Sequence, residues 1–332
     1  MSSLVRDLQD PRFLPDRTTG VTLIQTHISL VFVGDEFVYK VKKPVNFGFL
    51  DFSTLEKRHH FCIQELRLNR RLCRGIYLDV LPVIFDGEHH RIGRGGGQVV
   101  DYAVRMKRIP EEMLMKSLFQ EGRLSEDHLD RLADVLACFH READSSPEIE
   151  GFGRPERVKV NTDENFEQTR KYIGKTIDRH DFDALFDWTE AFFRQNEEVF
   201  HDRISKGRVR DCHGDLHMEH VCFSDPICIF DCVEFIDRFR YTDTLCDIAF
   251  LLMDMEYHGG EALAEYLWNH YALATGDRGT ESLLTFYKVY RAYVRGKVNS
   301  FQLDDDRIGQ EAKGRAAESA RKYFKLALSY TS

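Results

Sequence analysis

Residues 211–231 read DCHGDLHMEHVCFSDPICIFD, a stretch that concentrates side chains able to handle protons and metal ions. His213, Gly214, Asp215, His217 and His220 come first, just ahead of a short apolar run at 221–223. A turn at Asp225 and Pro226 leads into a second apolar run, 227–230, which ends on Asp231. Two short strands joined by a tight turn would bring Asp215, His220 and Asp231 to one mouth. That set suits one carboxylate for acid–base work and two ligands for a divalent cation.

Such a loop needs a scaffold. Upstream, VTLIQTHISLVFVGDEFVYKVKKPV carries turn signals at 26–29 and at Gly34-Asp35, which predict three antiparallel strands. On the third, Lys40 and Lys42 share a face by the period of two, and a lysine facing a covered cleft needs an anion. Ser53 with Glu56 three positions on predicts a capped helix start, with the helix running to about residue 72 and stopping at Gly75. Glu65 lies near its apolar stripe and needs a partner. After a run of strands around HHRIGRGGG, strand signals stop at Pro110, so residues 109–112 read as a hinge. The triplet Gly95-Gly96-Gly97 lacks the GK[ST] ending of a phosphate loop and is expected to be a flexible hairpin turn. The expected organisation is a β-rich lobe, 1–108, with five strands and one main helix, followed by a mostly helical lobe, 109–332. In the latter we expect a helix capped at Ser125, a polar loop over 144–165, and helices from near Asn165 and over 182–200. Further helices are expected over 244–255, 262–273, 283–301 and 311–330.

The chain of 332 residues suits two lobes. Its formal charge of −9 argues against nucleic-acid binding, which calls for a basic face. No apolar run approaches the roughly 18 residues of a membrane span, and residues 1–13 lack a signal peptide's apolar stretch, so a cytoplasmic enzyme is expected. Eight cysteines without a CxxC are expected to be buried reduced thiols. Asp237, Asp243, Asp254 and Glu256 are expected to form a solvated acidic face, with a pocket for a cationic substrate as the alternative.

The segments CHGDLHMEH, IFDCVEF and DTLCDIAFL, with LACFH earlier in the chain, occur in an order and at distances that resemble the aminoglycoside phosphotransferase family. The resemblance spans about residues 20–300. YKVKKPVNFGFLDFSTLEKR is similar to a bacterial branch in which this domain is often fused to a P-loop ATPase domain, which is not expected here. The resemblance implies an α+β, protein-kinase-like, two-lobed fold and an ATP-dependent phosphotransferase acting on a hydroxyl of a small molecule, with ATP and Mg²⁺, or Mn²⁺, as cofactors. Asp215 would orient the acceptor hydroxyl and take its proton. Asp231 would bridge a metal to the phosphates. His220 stands where the family usually has a metal-binding Asn, a departure that favours softer ions. Glu234 is a candidate for an outer metal contact or for substrate, and Asp247 for a buried brace of the loop. Lys40, with Lys42 as the alternative, would grip the α- and β-phosphates, paired with Glu65, and the backbone of 106–109 would meet adenine. A nucleotide-binding pseudokinase and an AMP transferase are the rival functions.

Overall fold

The structure, a computed structural model, describes residues 2–332 except Phe49, Asp306 and Arg307; the apolar stretch 46–52, which reads in sequence as a loop of no obvious period, thus includes a residue outside the described ones. Among the described residues ten strands run in chain order as β1 Thr22–Gln25, β2 Ser29–Val33, β3 Phe37–Lys42, β4 Tyr77–Phe85, β5 His90–Ile92, β6 Gln98–Lys107, β7 Val209–Asp211, β8 Val221–Cys222, β9 Cys228–Ile229 and β10 Tyr241–Asp243. The α-helices are α1 Ser2–Leu8, α2 Leu55–Asn69, α3 Met115–Gln120, α4 Glu126–Glu142, α5 Pro147–Gly151, α6 Pro155–Thr169, α7 Arg179–Gln195, α8 Glu197–Ser205, α9 Thr244–Tyr257, α10 Glu261–Thr275, α11 Glu281–Phe301 and α12 Gln310–Ser329. Packing groups the chain into two compact units, Met1–Arg123 with Glu219–Asp237, and Leu124–Met218 with Arg238–Ser332.

The first unit is built on an antiparallel sheet of order β1-β2-β3-β6-β4-β5. The predicted hairpin at Gly34-Asp35 joins β2 to β3 and sets Lys40 opposite Val31 and Lys42 opposite Ser29. The sheet has six strands rather than the expected five, because His90–Ile92 folds back on β4. The glycine triplet therefore links β5 to β6, and Gly97 is required there. Its φ is +135°, and a Cβ at that point would lie 2.4 Å from the Phe85 carbonyl oxygen. Helix α2 is capped by Thr54, which accepts from the Lys57 amide, one residue later than predicted. Ser53 is drawn away because its hydroxyl donates to Asp51 Oδ1 at 2.6 Å.

The predicted strand pair around the Asp225-Pro226 turn is present as β8 and β9, with Val221 opposite Ile229 and Cys222 opposite Cys228. Its backbone is secured within the unit. Phe223 N–H donates to the Met113 carbonyl at 2.9 Å, and Ile229 N–H to the Leu72 carbonyl at 3.3 Å. Cys228 also forms a disulfide with Cys73, with the two Cα atoms 4.6 Å apart. The expectation of reduced thiols throughout is corrected here, because the turn after α2 delivers Cys73 onto β9. The other six cysteines are outside this disulfide.

In the second unit, Ser125 and His128 close a capping box at the start of α4, as its sequence implied. The polar stretch 144–165 is not a loop. It holds α5 and α6, each opened by a proline at its first turn, with Ser146 capping α5. The helix expected over 182–200 is two, divided at Asn196, whose side-chain amide turns back to the Phe192 carbonyl. Helix α9 is buried almost along its length. Phe166, Leu185, Phe250, Val289, Tyr293 and Phe324 form one core that joins α6, α7, α9, α11 and α12. Among the described residues no helix is long and apolar enough to cross a membrane.

The disulfide is testable by thiol counting. Of eight cysteines two are bonded, so the unfolded, unreduced protein should titrate six thiols and the reduced protein eight. Reduction should also lower the melting temperature, since a bridge across 155 residues stabilises by on the order of a few kcal/mol. Eight thiols without reductant would contradict the bond.

Candidate active site

The residues singled out in the sequence fall into two groups, one in each unit. In the first unit, Lys40, Lys42, Glu65, Asp231 and Glu234 form one continuous chain of opposite charges. Lys40 Nζ lies 2.5 Å from Asp231 Oδ1 and 2.9 Å from Glu65 Oε1. Lys42 Nζ lies 2.7 Å from Glu65 Oε2 and also pairs with Glu234. The period of two along β3 thus aims both lysines at one carboxylate of α2. They differ in exposure: the Lys42 side chain is 0% accessible and that of Lys40 14%, while Asp231 stands 41% open. Burial works against both ammonium charges. For Lys40, Asp231 and Glu65 outweigh it and hold the pKa well above its ordinary value; for Lys42, Glu234 and Glu65 do so. Burial likewise pushes Glu65 up, but the two lysines prevail and keep it ionised. Glu234 sits above its ordinary value because burial there exceeds what Lys42 returns.

Helix α2 also fixes the backbone around Asp231. Asn69, one turn beyond Glu65, accepts from the Cys232 amide at 2.9 Å and donates to the Glu65 carbonyl at 2.9 Å. Tyr77 Oη accepts from the Asp231 amide at 3.3 Å. With Cys73, bonded to Cys228, Asn69 and the turn after the helix hold the Asp231 segment at two points, while Glu65, one turn before Asn69, meets it through Lys40. Asp231 has φ +61°, the left-handed region that aspartate enters more readily than most residues with a Cβ. His220 Nε2 is 3.6 Å from Asp231 Oδ2, so the two candidate metal ligands are brought together. At the hinge, the Lys107 and Arg108 amides are taken by the carbonyls of Ile76 and Glu36. Of residues 107–109, Ile109 is the one whose amide has no backbone partner among the described residues.

Asp215 lies in the second unit, on a loop between β7 and the Met218–His220 turn. Strand β7 pairs with β10, and the Cys212 amide donates to the Arg240 carbonyl at 2.9 Å. Asp247, on the first turn of α9, accepts from the His213 amide at 2.7 Å and the Gly214 amide at 2.8 Å. Two turns along the same face, Asp254 accepts from the Met218 amide at 3.0 Å. Both ends of the loop are therefore held by one helix. Gly214 has φ +86°, which frees the chain to turn there. Arg291 Nη1 donates to the Gly214 carbonyl at 3.0 Å, and His213 Nδ1 accepts from the Asp215 amide at 3.3 Å. Burial raises the Asp247 pKa, but His140, His213 and Arg291 outweigh it and hold it at about 2. Asp247 is thus the loop's brace, as expected. The Asp215 carboxylate remains 36% open, with His217 Nε2 3.6 Å from Oδ2.

The acidic face expected from Asp243, Asp254 and Glu256 is a set of internal partners. Asp243 pairs with Arg203 at 2.6 Å and caps α9. Glu256 pairs with Lys288 at 2.6 Å. Sequence reasoning missed Asn69, Tyr77 and Arg291, and it assigned Asp254 to a solvated face rather than to the loop; none of the four carries a local motif. Arg291 sits mid-helix among buried residues, and a cation in such a row was the one available signal.

Comparison with known proteins bears on this arrangement. Residues 59–283 match the model of the phosphotransferase enzyme family. An uncharacterized protein of Mycobacterium tuberculosis is 34% identical over 275 residues, which is 82% of this chain and 53% of that protein. The chain thus spans about half the length of the curated relatives it matches. A choline/ethanolamine kinase family protein from Mesorhizobium loti superposes over 99% of this chain and 98% of its own, at 12% identity and a TM-score of 0.55. Amicoumacin kinase, solved with AMP-PNP and Ca²⁺, superposes over 92% of this chain and 88% of its own, at 12% identity and a TM-score of 0.53. The fold is the α+β, protein-kinase-like one that these proteins share.

Two stability measurements test the geometry. Lys42→Met should destabilise by about 3–5 kcal/mol, because two buried carboxylates lose their partner. Lys40→Met, at a more open site, should cost less; the reverse order in urea unfolding would contradict the assignment. Asp247→Asn should destabilise through the loss of an ionised acceptor. Its pKa lies below the ordinary 3.8, so the carboxylate's contribution is full above pH 5 and declines as pH falls toward 2. The gap between wild type and variant should therefore narrow by about 2 kcal/mol between pH 5 and pH 2.

Proposed function

The chain belongs to the phosphotransferase enzyme family, and from that premise we propose that it is an ATP-dependent kinase acting on a hydroxyl of a small molecule. The observation that carries the reading is the ionised Lys40 held between Glu65 and Asp231. A strand lysine kept charged by a helix glutamate, beside a half-open aspartate, is suited to receiving phosphate oxygens and their metal ion.

In this reading Lys40 binds the α- and β-phosphates, Glu65 keeps it oriented, and residues 1–108 form the nucleotide-binding lobe. Ile109 offers its amide to adenine. Asp231 and His220 would hold Mg²⁺. One carboxylate fits that ion, which commonly takes one or two carboxylates and completes its shell with phosphate and water oxygens. The imidazole of His220 adds a softer donor and favours Mn²⁺. When bound, the metal neutralises charge on the transferring phosphate. Asp215 then acts on the acceptor. Its carboxylate takes the hydroxyl proton while the hydroxyl oxygen bonds to the γ-phosphorus and the bond to ADP breaks. The Asp247 and Asp254 clamps supply the rigidity that such positioning needs. We place the enzyme in the cytoplasm, with small-molecule partners and no nucleic acid.

Asp215→Asn should retain the thermal shift given by Mg²⁺ and ATP while losing roughly 10²–10⁴ in turnover, read as ADP release over a panel of hydroxylated metabolites. Undiminished turnover in that variant would overturn the role of Asp215. Nucleotide binding without any turnover by the wild type would indicate a pseudokinase, and a product heavier by AMP rather than phosphate would indicate nucleotide transfer. His220→Asn should shift the preferred ion from Mn²⁺ toward Mg²⁺.

A further inference from the structure

Helix α11 carries Arg291 and Arg295, four residues apart and hence on one face, one turn from each other. Their situations differ. Arg291 is buried and fully employed, with Nη1 on the Gly214 carbonyl and Nε on that of Cys246 at 3.3 Å. Its guanidinium lies 4.9 Å from the Phe250 ring centre. Arg295 packs over the Tyr323 ring, 5.6 Å from its centre. Its Nε is buried and has no hydrogen-bond partner. Among the described residues, Arg295 forms no ion pair.

A buried, unmet N–H on a charged group is costly and calls for a missing acceptor. The surrounding acids do not supply it. Asp254 is engaged by the Met218 amide, Glu256 by Lys288 and Tyr330, and Asp247 by the loop amides. Burial opposes the Arg295 charge, yet Tyr323 and the nearby Asp215 and Asp254 hold it protonated. A fixed positive charge, touched by the Tyr323 hydroxyl but with its Nε–H unmet, thus stands one turn from the arginine that holds the Gly214 carbonyl beside Asp215. It would repel a cationic acceptor and suit an anionic one, since guanidinium matches carboxylate and phosphate geometry.

We propose that Arg295 is a specificity-determining residue that takes a carboxylate or phosphate group of the acceptor, so that the hydroxyl presented to Asp215 belongs to an anionic small molecule. This rests on the kinase reading above and narrows its substrate class. The partial exposure of Arg295 leaves it reachable. The stacked Tyr257 and Tyr323 rings, 3.7 Å apart and within 8° of parallel, make a rigid support beneath it. Guanidinium is planar and donates in pairs, so Lys in its place should restore the charge without the geometry.

The test uses the full chain with saturating Mg²⁺ and ADP, so that added phosphate or carboxylate cannot be read at the nucleotide contacts. Thermal shifts are measured with D-ribose 5-phosphate and D-glycerate, with D-ribose and glycerol as neutral counterparts, and with choline as the cation. At least one anionic probe should raise the melting temperature by about 2–4 °C, and its neutral counterpart and choline should not. Arg295→Gln should abolish that shift, and Arg295→Lys should keep part of it while melting close to wild type. Dissociation constants for the responding probe should rise about tenfold or more in Arg295→Gln, with ADP affinity unchanged. The proposal is overturned if choline or a neutral probe stabilises more than the anionic ones, if no anionic probe binds, or if Arg295→Gln binds them as well as wild type. The ADP shift is read separately, and its absence would overturn the kinase reading itself.

Discussion

Glu65 has no accessible side-chain surface and two ammonium groups within 3 Å, and the first unit is arranged around making that tolerable. A carboxylate withdrawn from water costs several kcal/mol unless its partners are well placed, and removing one partner costs more than the pair contributes. The consequence is geometric. Strand β3 must present residues 40 and 42 on one face, α2 must bring residue 65 over that face, and the segment after β9 must return Asp231 and Glu234 to the far side of the lysines. Six-stranded sheet, helix and hairpin are thereby fixed in register by one set of charges. The apolar contacts of Cys62, Tyr77, Val104 and Cys228 around it exclude the water that would weaken them.

The second unit solves a similar problem with backbone amides instead of ammonium groups. Asp247 and Asp254 are buried carboxylates whose neighbours are the N–H groups of residues 213, 214 and 218. In both units the fully buried acids hold structure, and one acid beside them is left open: Asp231 at 41% and Asp215 at 36%. Charges that must meet a ligand cannot be sealed, and those that position them must be. The separation of exposure follows from that division of labour, and it is why Lys40 rather than Lys42 suits a ligand-facing role.

Much of this was legible in the sequence where the information is local. The period of two put Lys40 and Lys42 on one face, the spacing of α2 put Glu65 toward the apolar side, and the turn at 225–226 produced the β8–β9 pair. The cap at Ser125 was correct, while that at Ser53 failed because Asp51 competes for the hydroxyl. The helices inside 144–165 were hidden by a polar composition, although Pro147 and Pro155 are ordinary first-turn residues. What could not be read was long-range. Lys42 meets a glutamate 192 residues away, and Cys73 a cysteine 155 away, with no periodicity linking either pair. The acids of the 237–256 region looked like a solvated face because their partners, Arg203 and Lys288, lie in other helices.

Residue 231 is the described residue with a Cβ that takes a left-handed backbone. Asp231 occupies the left-handed region at φ +61°, a conformation that costs about 1–2 kcal/mol for a residue with a Cβ. Asn, Asp or Gly could take that backbone, so stability alone does not call for a carboxylate there. An amide at residue 231 would keep a hydrogen bond to Lys40 and would spare the repulsion between Asp231 and Glu65. Instead, three carboxylates converge on two ammonium groups, leaving an excess negative charge on the most open member. A divalent cation bound beside Asp231 would relieve that excess, as would loss of the proton-free carboxylate.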